Sequence, residues 1–323
     1  MATLLTEADV ERLIDMDSVI GAVDRSMREL AAGTAENVPR RRTHPPGGSL
    51  SVMFASFPGC GYYGLKSYSV QAGKVRFLVV LYASAGERAG NVEALIEANL
   101  LGAYRTGAAT GVAARALANP GPVEVGVIGA GWQARTQIHA LSRTLPVTRF
   151  HVYSRDTDRR QRFADELSRE LDAQVSPAAS AEEAVRGCQV VVTMTSAGQP
   201  VLEADWVEPG ALVVGAGSNI PTKAELPAAL VARAGLVVVD QLEAARLESG
   251  DLLVAERAGQ FSWAGTVELG AVLTGAVEGR PSRESIVLFE SHGLALWDVA
   301  AGAQVLEQAR AAGLGTEVPL FAD

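Results

Sequence analysis

Residues 123–134 read Val-Glu-Val-Gly-Val-Ile-Gly-Ala-Gly-Trp-Gln-Ala. The apolar, β-branched run Val123, Val125, Val127 and Ile128 predicts a short strand, Gly129-Ala130-Gly131 a tight turn, and Trp132-Gln133-Ala134 the start of an apolar-periodic helix. A dinucleotide fingerprint needs this order. Gly129 makes the turn, Gly131 lets backbone approach a pyrophosphate, and small Ala134 permits close helix–strand packing. The N–H groups of the helix start then face the phosphates. An ordinary βα turn uses similar residues, but a strand before and a helix after favour the nucleotide reading.

Downstream the pattern alternates. Nearly continuous apolar runs predict strands at Val123–Ile128, Arg149–Tyr153, Val190–Met194, Ala211–Val214 and Leu236–Val239. Helical patterns fall near Trp132–Leu145, Thr157–Leu171, Ala181–Arg186 and Leu226–Arg233. Apolar strands alternating with helices predict a Rossmann-type, doubly wound parallel sheet of the α/β class. Its second strand ends in His151-Val152-Tyr153-Ser154-Arg155. A carboxylate at that end selects NAD(H) through the ribose 2′-hydroxyl; here Ser154 stands there. Arg155, with Arg159 or Arg160 one turn on, suits a 2′-phosphate, so NADP(H) is preferred and NAD(H) remains possible. Asp156 and Asp158 read as carboxylates of a helix start, the alternative being that the strand ends later and they take the ribose.

Upstream the organisation differs. Thr6 and Asp9 give a helix-start signal, and Met16, Val19, Ile20, Val23, Met27 and Leu30 continue at helical spacing to Gly33. Residues 38–48, with Arg40, Arg41, Arg42 and His44 among prolines and glycines, read as a basic, turn-rich connection: a solvated loop or an anion-binding arm. Ser49–Phe57, Tyr62–Val70 and Lys74–Ala83 read as three consecutive strands, hence an antiparallel sheet. Lys66, in the middle strand, is either an edge-strand charge or a desolvated amine that meets a substrate. Residues 91–118 are rich in alanine and leucine and predict one long helix or two, carrying Arg105-Thr106 among small neighbours. Asn119-Pro120-Gly121-Pro122 breaks the chain, which predicts a domain boundary.

The 323 residues suffice for two domains, and 48% hydrophobic with 20% charged residues excludes a mainly disordered chain. A net charge of −9 offers no basic face for nucleic acid, so the expected partner is a small molecule. Cys60 and Cys188 are far apart, and His44, His139, His151 and His292 lack metal-ligand spacing, so neither a disulfide framework nor a metal is expected. The N-terminus lacks a signal-peptide pattern and the longest apolar run, 77–83, is far too short for a bilayer. A cytoplasmic protein without a membrane partner is the expectation.

Seven stretches resemble motifs of the ornithine cyclodeaminase/mu-crystallin family, in its order. They are Arg42-Thr43, Gly64-Leu65-Lys66, Tyr104 to Thr110, Gly129 to Ala134, Thr193 to Ser196, Glu248 to Asp251 and Phe289 to Gly293. The resemblance implies a substrate-binding and dimerisation domain of α+β type at 1–120, completed by a C-terminal helix at about 296–323, and a coenzyme-binding domain at 121–295. It implies a homodimer. It also implies that a substrate carboxylate is held at positions matching Arg42, Lys66 and Arg105. The coenzyme would lie against Thr106, Gly129, Gly131, Gln133, Ala134, Thr195, Ser196 and Ser291, together with Ser154, Arg155 and Arg159.

One departure bears on the reaction. Where cyclodeaminases and the family's alanine dehydrogenases carry Gly-x-Asp-x-Pro-Gly-Lys, residues 217–223 read Gly-Ser-Asn-Ile-Pro-Thr-Lys, with Asn219 replacing the aspartate. An amide is no general base near neutral pH. Gln71 to Lys74 and Arg88 also depart from the family pattern, which leaves the substrate side chain open. The resemblance thus implies hydride transfer to the C=N carbon of an α-imino acid or cyclic ketimine. The alternatives are an NAD-dependent amino-acid dehydrogenase, an ornithine or lysine cyclodeaminase, and a coenzyme-binding protein with little catalysis.

Overall fold

Val123–Ile128 forms a strand and Trp132–Thr144 a helix, and Gly129 joins them at φ +128°. A side chain there would be strained, and its Cβ would lie 2.2 Å from the carbonyl oxygen of Met194. The computed structural model describes residues 1–320. The chain divides into one unit made of Met1–Thr106 with the segment from Leu294 onward, and a second made of Gly107–Gly293.

The first unit opens with β1 (Ala2–Leu5), α1 (Glu7–Leu13) and α2 (Met16–Ala31). Thr6 caps α1 in a reciprocal box with Asp9, and the Asp15 carboxylate caps α2 by accepting the Ser18 N–H at 2.9 Å. That second cap divides what periodicity alone predicts as a single helix. β2 (Glu36–Thr43), β3 (Gly48–Phe57), β4 (Tyr62–Gln71), β5 (Lys74–Ala83) and β6 (Val92–Glu97) follow, then α3 (Asn99–Leu117), which begins in this unit and from Gly107 onward belongs to the second. Two expectations are corrected here. Arg40, Arg41 and Arg42 lie on a strand, because β3 supplies an antiparallel partner that sets Arg42 opposite Ser51 after a bulge between Val38 and Arg41. Residues 92–97 are strand rather than helix, because pairing with β1 and β5 outweighs their alanine- and leucine-rich composition.

The second unit contains β7 (Val123–Ile128), α4 (Trp132–Thr144), β8 (Val147–Tyr153), α5 (Thr157–Glu170), β9 (Gln174–Pro177), α6 (Ala181–Val185), β10 (Val190–Thr193) and β11 (Leu212–Gly215). It continues through α7 (Ala228–Arg233), β12 (Ala234–Val239), α8 (Leu242–Glu248), α9 (Gly250–Arg257), β13 (Val267–Glu268), α10 (Leu269–Leu273) and β14 (Ile286–Glu290). Its strands are all parallel, in the order β13-β12-β14-β11-β10-β7-β8-β9. The centre of the sheet (β7, β10, β11, β14) is almost wholly buried, as a sheet covered on both faces requires. β14, which apolar patterning does not separate from the helix after it, inserts between β11 and β12.

The chain then returns to the first unit as α11 (Ala295–Ala312) and β15 (Thr316–Val318). The expected C-terminal helix therefore stops at Ala312: Gly313 takes φ +64° as its cap, and β15 pairs antiparallel with β1. Residues 321–323 of that expectation lie outside the described residues. The first unit's sheet runs β15-β1-β6-β5-β4-β3-β2. α11 packs on α2 and on one face of β3 and β4, burying Trp297, whose indole N–H donates to Met27 Sδ at 3.1 Å. The other face exposes Leu50, Phe54 and Tyr63, with Tyr63 stacked on Tyr82 at 5.3 Å. A groove of about 510 Å³ on it is lined by Val38, Phe54, Tyr63, Leu65 and Tyr82 among others.

Candidate active site

Lys66 points from β4 towards α11 and is 2% exposed. A strand interior disfavours an unpaired charge, and the sequence supplies a partner from 232 residues away: Nζ donates to Asp298 Oδ1 at 2.8 Å. Arg105, on α3, donates its Nε–H to the same oxygen at 3.1 Å and lies 5.8 Å from the Trp297 ring. The Phe77 ring lies 5.0 Å from Nζ. Burial pulls the Lys66 amine down to about 8 against the attraction of Asp298, with Arg105 and Arg40 adding to the depression. Gly102 makes the room: a Cβ there would stand 2.8 Å from Nζ.

This bonding leaves donors over. An ammonium has three N–H groups and Asp298 takes one; Arg105 is held to Asp298 through Nε, and a guanidinium has four further N–H donors on its terminal nitrogens. Lys66 and Arg105 are thus brought together, while Arg42 stands half-buried on β2 opposite Ser51. The arginine buried beside Lys66 is Arg40, 6% exposed and 5.9 Å from the Tyr68 ring. Sequence reasoning missed Asp298 and Arg40. A signal for the first existed, since Asp298 is the single charge in residues 293–306, where nothing solvates it. Thr106, 8% exposed, donates its hydroxyl to the Gly102 carbonyl on its own helix.

In the second unit, Gly131 caps α4 with no side-chain bond to the first-turn N–H groups, which stay available to a phosphate. Gln133 is exposed in that turn and Ala134 is fully buried against the sheet. Arg159 donates Nε–H to the Ala130 carbonyl at 2.8 Å, which sets its guanidinium over the glycine turn. Ser154 directly follows β8, and Arg155 is exposed. Asp156 caps α5, accepting the Arg159 N–H at 3.0 Å. Arg160 is engaged in the fold: Nη1 donates to the Ser154 carbonyl at 2.8 Å and the guanidinium lies 5.2 Å from the Tyr153 ring.

The C-terminal ends of β10, β11, β12 and β14 carry a buried polar network. The N–H of Thr195 donates to Glu225 Oε1 at 2.7 Å, and its hydroxyl donates to the same atom. Burial raises Glu225 to about 7 despite these bonds. Asp251 Oδ1 accepts the N–H groups of Glu225 and Leu226, each at 2.7 Å; burial, then the nearby Glu290, raise it well above the carboxylate range. His292 is buried between Asp240 (Nδ1 to Oδ1, 3.4 Å) and Glu290 (Nε2 to Oε2, 3.5 Å). Burial opposes its charge, but the adjacent carboxylates of Asp240 and Glu290 prevail and raise it to about 10. Ser291 is 4% exposed and its Oγ lacks a hydrogen-bond partner among the described residues, while Ser196 is exposed after β10. Asn219 lies half-buried in the loop after β11. The uncapped helix start, the side-chain-free turn and the orphaned Ser291 hydroxyl fit a dinucleotide at the strand ends of a doubly wound sheet. Among the described residues no His, Cys, Asp or Glu group has the arrangement of a metal site, and no helix is long and apolar enough to cross a membrane.

Known proteins share both sequence and fold. The chain is 34% identical over 324 residues to the alanine dehydrogenase of Archaeoglobus fulgidus, covering 98% of each. The Δ(1)-pyrroline-2-carboxylate reductase of Thermococcus litoralis, solved with NADH and L-proline, superposes with a TM-score of 0.92 at 30% identity, over 98% of this chain and 100% of that one. An archaeal alanine dehydrogenase dimer with bound NAD gives a TM-score of 0.92 at 33% identity, over 99% of both chains. The model of the ornithine cyclodeaminase/mu-crystallin family matches residues 1–313, and the chain belongs to that family.

Proposed function

We propose that this protein is an NAD(P)H-dependent reductase of a small α-imino acid or cyclic ketimine, giving an amino acid. The observation that carries the reading is the pair Lys66 and Arg105, two buried cations on one carboxylate oxygen with donors to spare. The terminal nitrogens of Arg105 match a substrate carboxylate as a fork, and Arg42 is the proposed third cation of the clamp. Fixing that carboxylate orients the imine carbon. The coenzyme, when bound, supplies a hydride from its nicotinamide C4. Lys66 contacts the carboxylate or the imine side, and an ammonium of lowered proton affinity is suited to release a proton to the product nitrogen.

The relative solved with NADH and L-proline is a pyrroline-2-carboxylate reductase, which supports this substrate class. Asn219 supports it too, because an amide beside a substrate nitrogen does not deprotonate an amine, as cyclodeamination requires. Thr106, Gly129, Gly131, Gln133, Ala134, Thr195, Ser196 and Ser291 are the proposed coenzyme contacts. Arg155 and Arg159 with Ser154 favour NADP(H) over NAD(H), since Asp156 is committed to its helix cap. The apolar sheet face around Phe54 and Tyr63, together with the dimeric alanine dehydrogenase, supports a homodimer. A cytoplasmic location is proposed on the sequence reading.

The 34% identity to an alanine dehydrogenase favours, as a second reading, oxidation of an amino acid with NAD. Product analysis separates the two. A reductase forms one amino acid per coenzyme oxidised, a dehydrogenase accumulates NADH with L-alanine, and a cyclodeaminase releases ammonia from ornithine with no net coenzyme change. Arg105→Ala is expected to raise KM for the imino acid about 10- to 100-fold, the effect of losing charge-assisted hydrogen bonds, with coenzyme binding unchanged. An unaltered KM would remove Arg105 from the clamp.

A further inference from the structure

The chemistry-bearing cations of the first unit come from β4 and α3, but the anion that holds them comes from α11, near the end of the chain. Asp298 is fully buried. Its Oδ1 accepts from Lys66 at 2.8 Å and from Arg105 at 3.1 Å, and among the described residues its Oδ2 has no hydrogen-bond partner. We infer that Asp298 is the positioning residue of this cluster, holding Lys66 as an ammonium and anchoring Arg105 by Nε so that its terminal nitrogens face outward.

The surroundings of Lys66 support the inference. The amine faces Asp298 on α11, Arg105 and Gly102 on α3, Arg40 on β2 and the Phe77 ring on β5. Arg105 and Arg40 disfavour a proton on Nζ, and Asp298 is the group that attracts one. Two cations on a single oxygen also lock each other: moving the carboxylate releases both. Among the described residues no other donor reaches the acid, so its charge is held there by these two partners. Only the catalytic consequence of the inference rests on the proposed role of Lys66 and Arg105 in substrate binding.

The test uses an unusual composition. Lys66, Lys74 and Lys223 are the chain's three lysines, so lysine labelled with ¹³C at Cε and ¹⁵N at Nζ gives three amine signals, Lys66 being assigned by Lys66→Met. In the full-length protein Lys66 is expected to titrate well below the ordinary lysine range. In Asp298→Asn, which keeps size and one acceptor but removes the charge, its proton affinity is expected to fall at least a further tenfold. The high-pH limb of kcat is expected to move down by the same interval, with Asp298→Glu restoring part of it. A Lys66 amine that titrates alike in the wild type and Asp298→Asn overturns the inference. If Asp298→Asn does not fold, Arg105→Gln serves instead. Freed of a cationic neighbour and given sole use of Asp298, Lys66 is then expected to titrate severalfold more tightly, and an unchanged or weaker affinity overturns the inference. The amine titration needs no turnover, so its outcome stands whether or not the protein reduces imines.

Discussion

Thr195 and Glu225 meet twice: both the backbone N–H and the hydroxyl of Thr195 end on Oε1 of Glu225. Thr195 is a proposed coenzyme contact, so the acid shapes the loop after β10 that the coenzyme would touch. Glu225, raised by burial to about 7, accepts most strongly above that pH, where it is ionised. Glu225→Gln is therefore expected to weaken NADPH binding about tenfold at pH 8 and far less at pH 6, where the wild-type acid is itself protonated. Exposed Trp132, in the glycine turn's helix, provides the fluorescence signal. A variant defect that is the same at both pH values would disconnect Glu225 from the coenzyme.

Coenzyme choice is expected to depend on Arg155 and Arg159 rather than on Arg160, which is spent on Ser154 and Tyr153. Arg155→Ala should cost NADPH about 10-fold or more in Kd, the scale of a charge-assisted bond to phosphate, and NADH little. Isothermal titration with both coenzymes decides it. Equal losses would mean that Arg155 does not face a 2′-phosphate.

Gly102 separates stability from function. An added Cβ would come 2.8 Å from the Lys66 amine, the movable end of a long side chain, while alanine is the better helix former by up to about 1 kcal/mol. Gly102→Ala is expected to keep Tm within a few degrees and to lower kcat/KM at least tenfold, because the ammonium must leave its place beside Asp298. Full activity would show that the position of this amine is not critical.

His292 makes stability depend on pH. Its folded pKa of about 10 lies above the ordinary 6.5, so folding binds its proton more tightly. That stabilisation is complete below about pH 6.5 and is lost as pH rises through about 10; the interval corresponds to roughly 3–5 kcal/mol. Asp240, held low by His292 although burial opposes this, acts only at acid pH. Urea unfolding between pH 6 and 10 is expected to show the decline, and His292→Gln to flatten it. Parallel slopes in both proteins would contradict the role assigned to the imidazolium.

Much of this was legible in the residues. Val123–Ile128 is a strand with the bounds its β-branched run predicts, and Gly129 has the positive φ that its turn demands. Patterning is a local signal, and it failed where partners are remote. Arg40 to Arg42 look like loop until β3 pairs with them, and Val92–Glu97 looks helical until β1 and β5 claim it. The site followed the same division. Lys66 and Arg105 were found by motif, but the carboxylate that binds them is 232 and 193 residues away in sequence. Only its solitary charge in an apolar helix hinted at it. The network of Glu225, Asp240, Asp251, Glu290 and His292 left no spacing to read, because the loop before α7, the ends of β12 and β14 and the start of α9 assemble it.

The most direct measurement is oxidation of NADPH and of NADH, in parallel, with Δ1-pyrroline-2-carboxylate, larger cyclic ketimine carboxylates, and pyruvate or glyoxylate mixed with amines. Turnover of an imino acid, faster with NADPH and yielding the matching amino acid, is the expected result. Activity seen only as NADH formation from an amino acid, or only as ammonia from ornithine or lysine, would contradict imine reduction as the reaction of this protein.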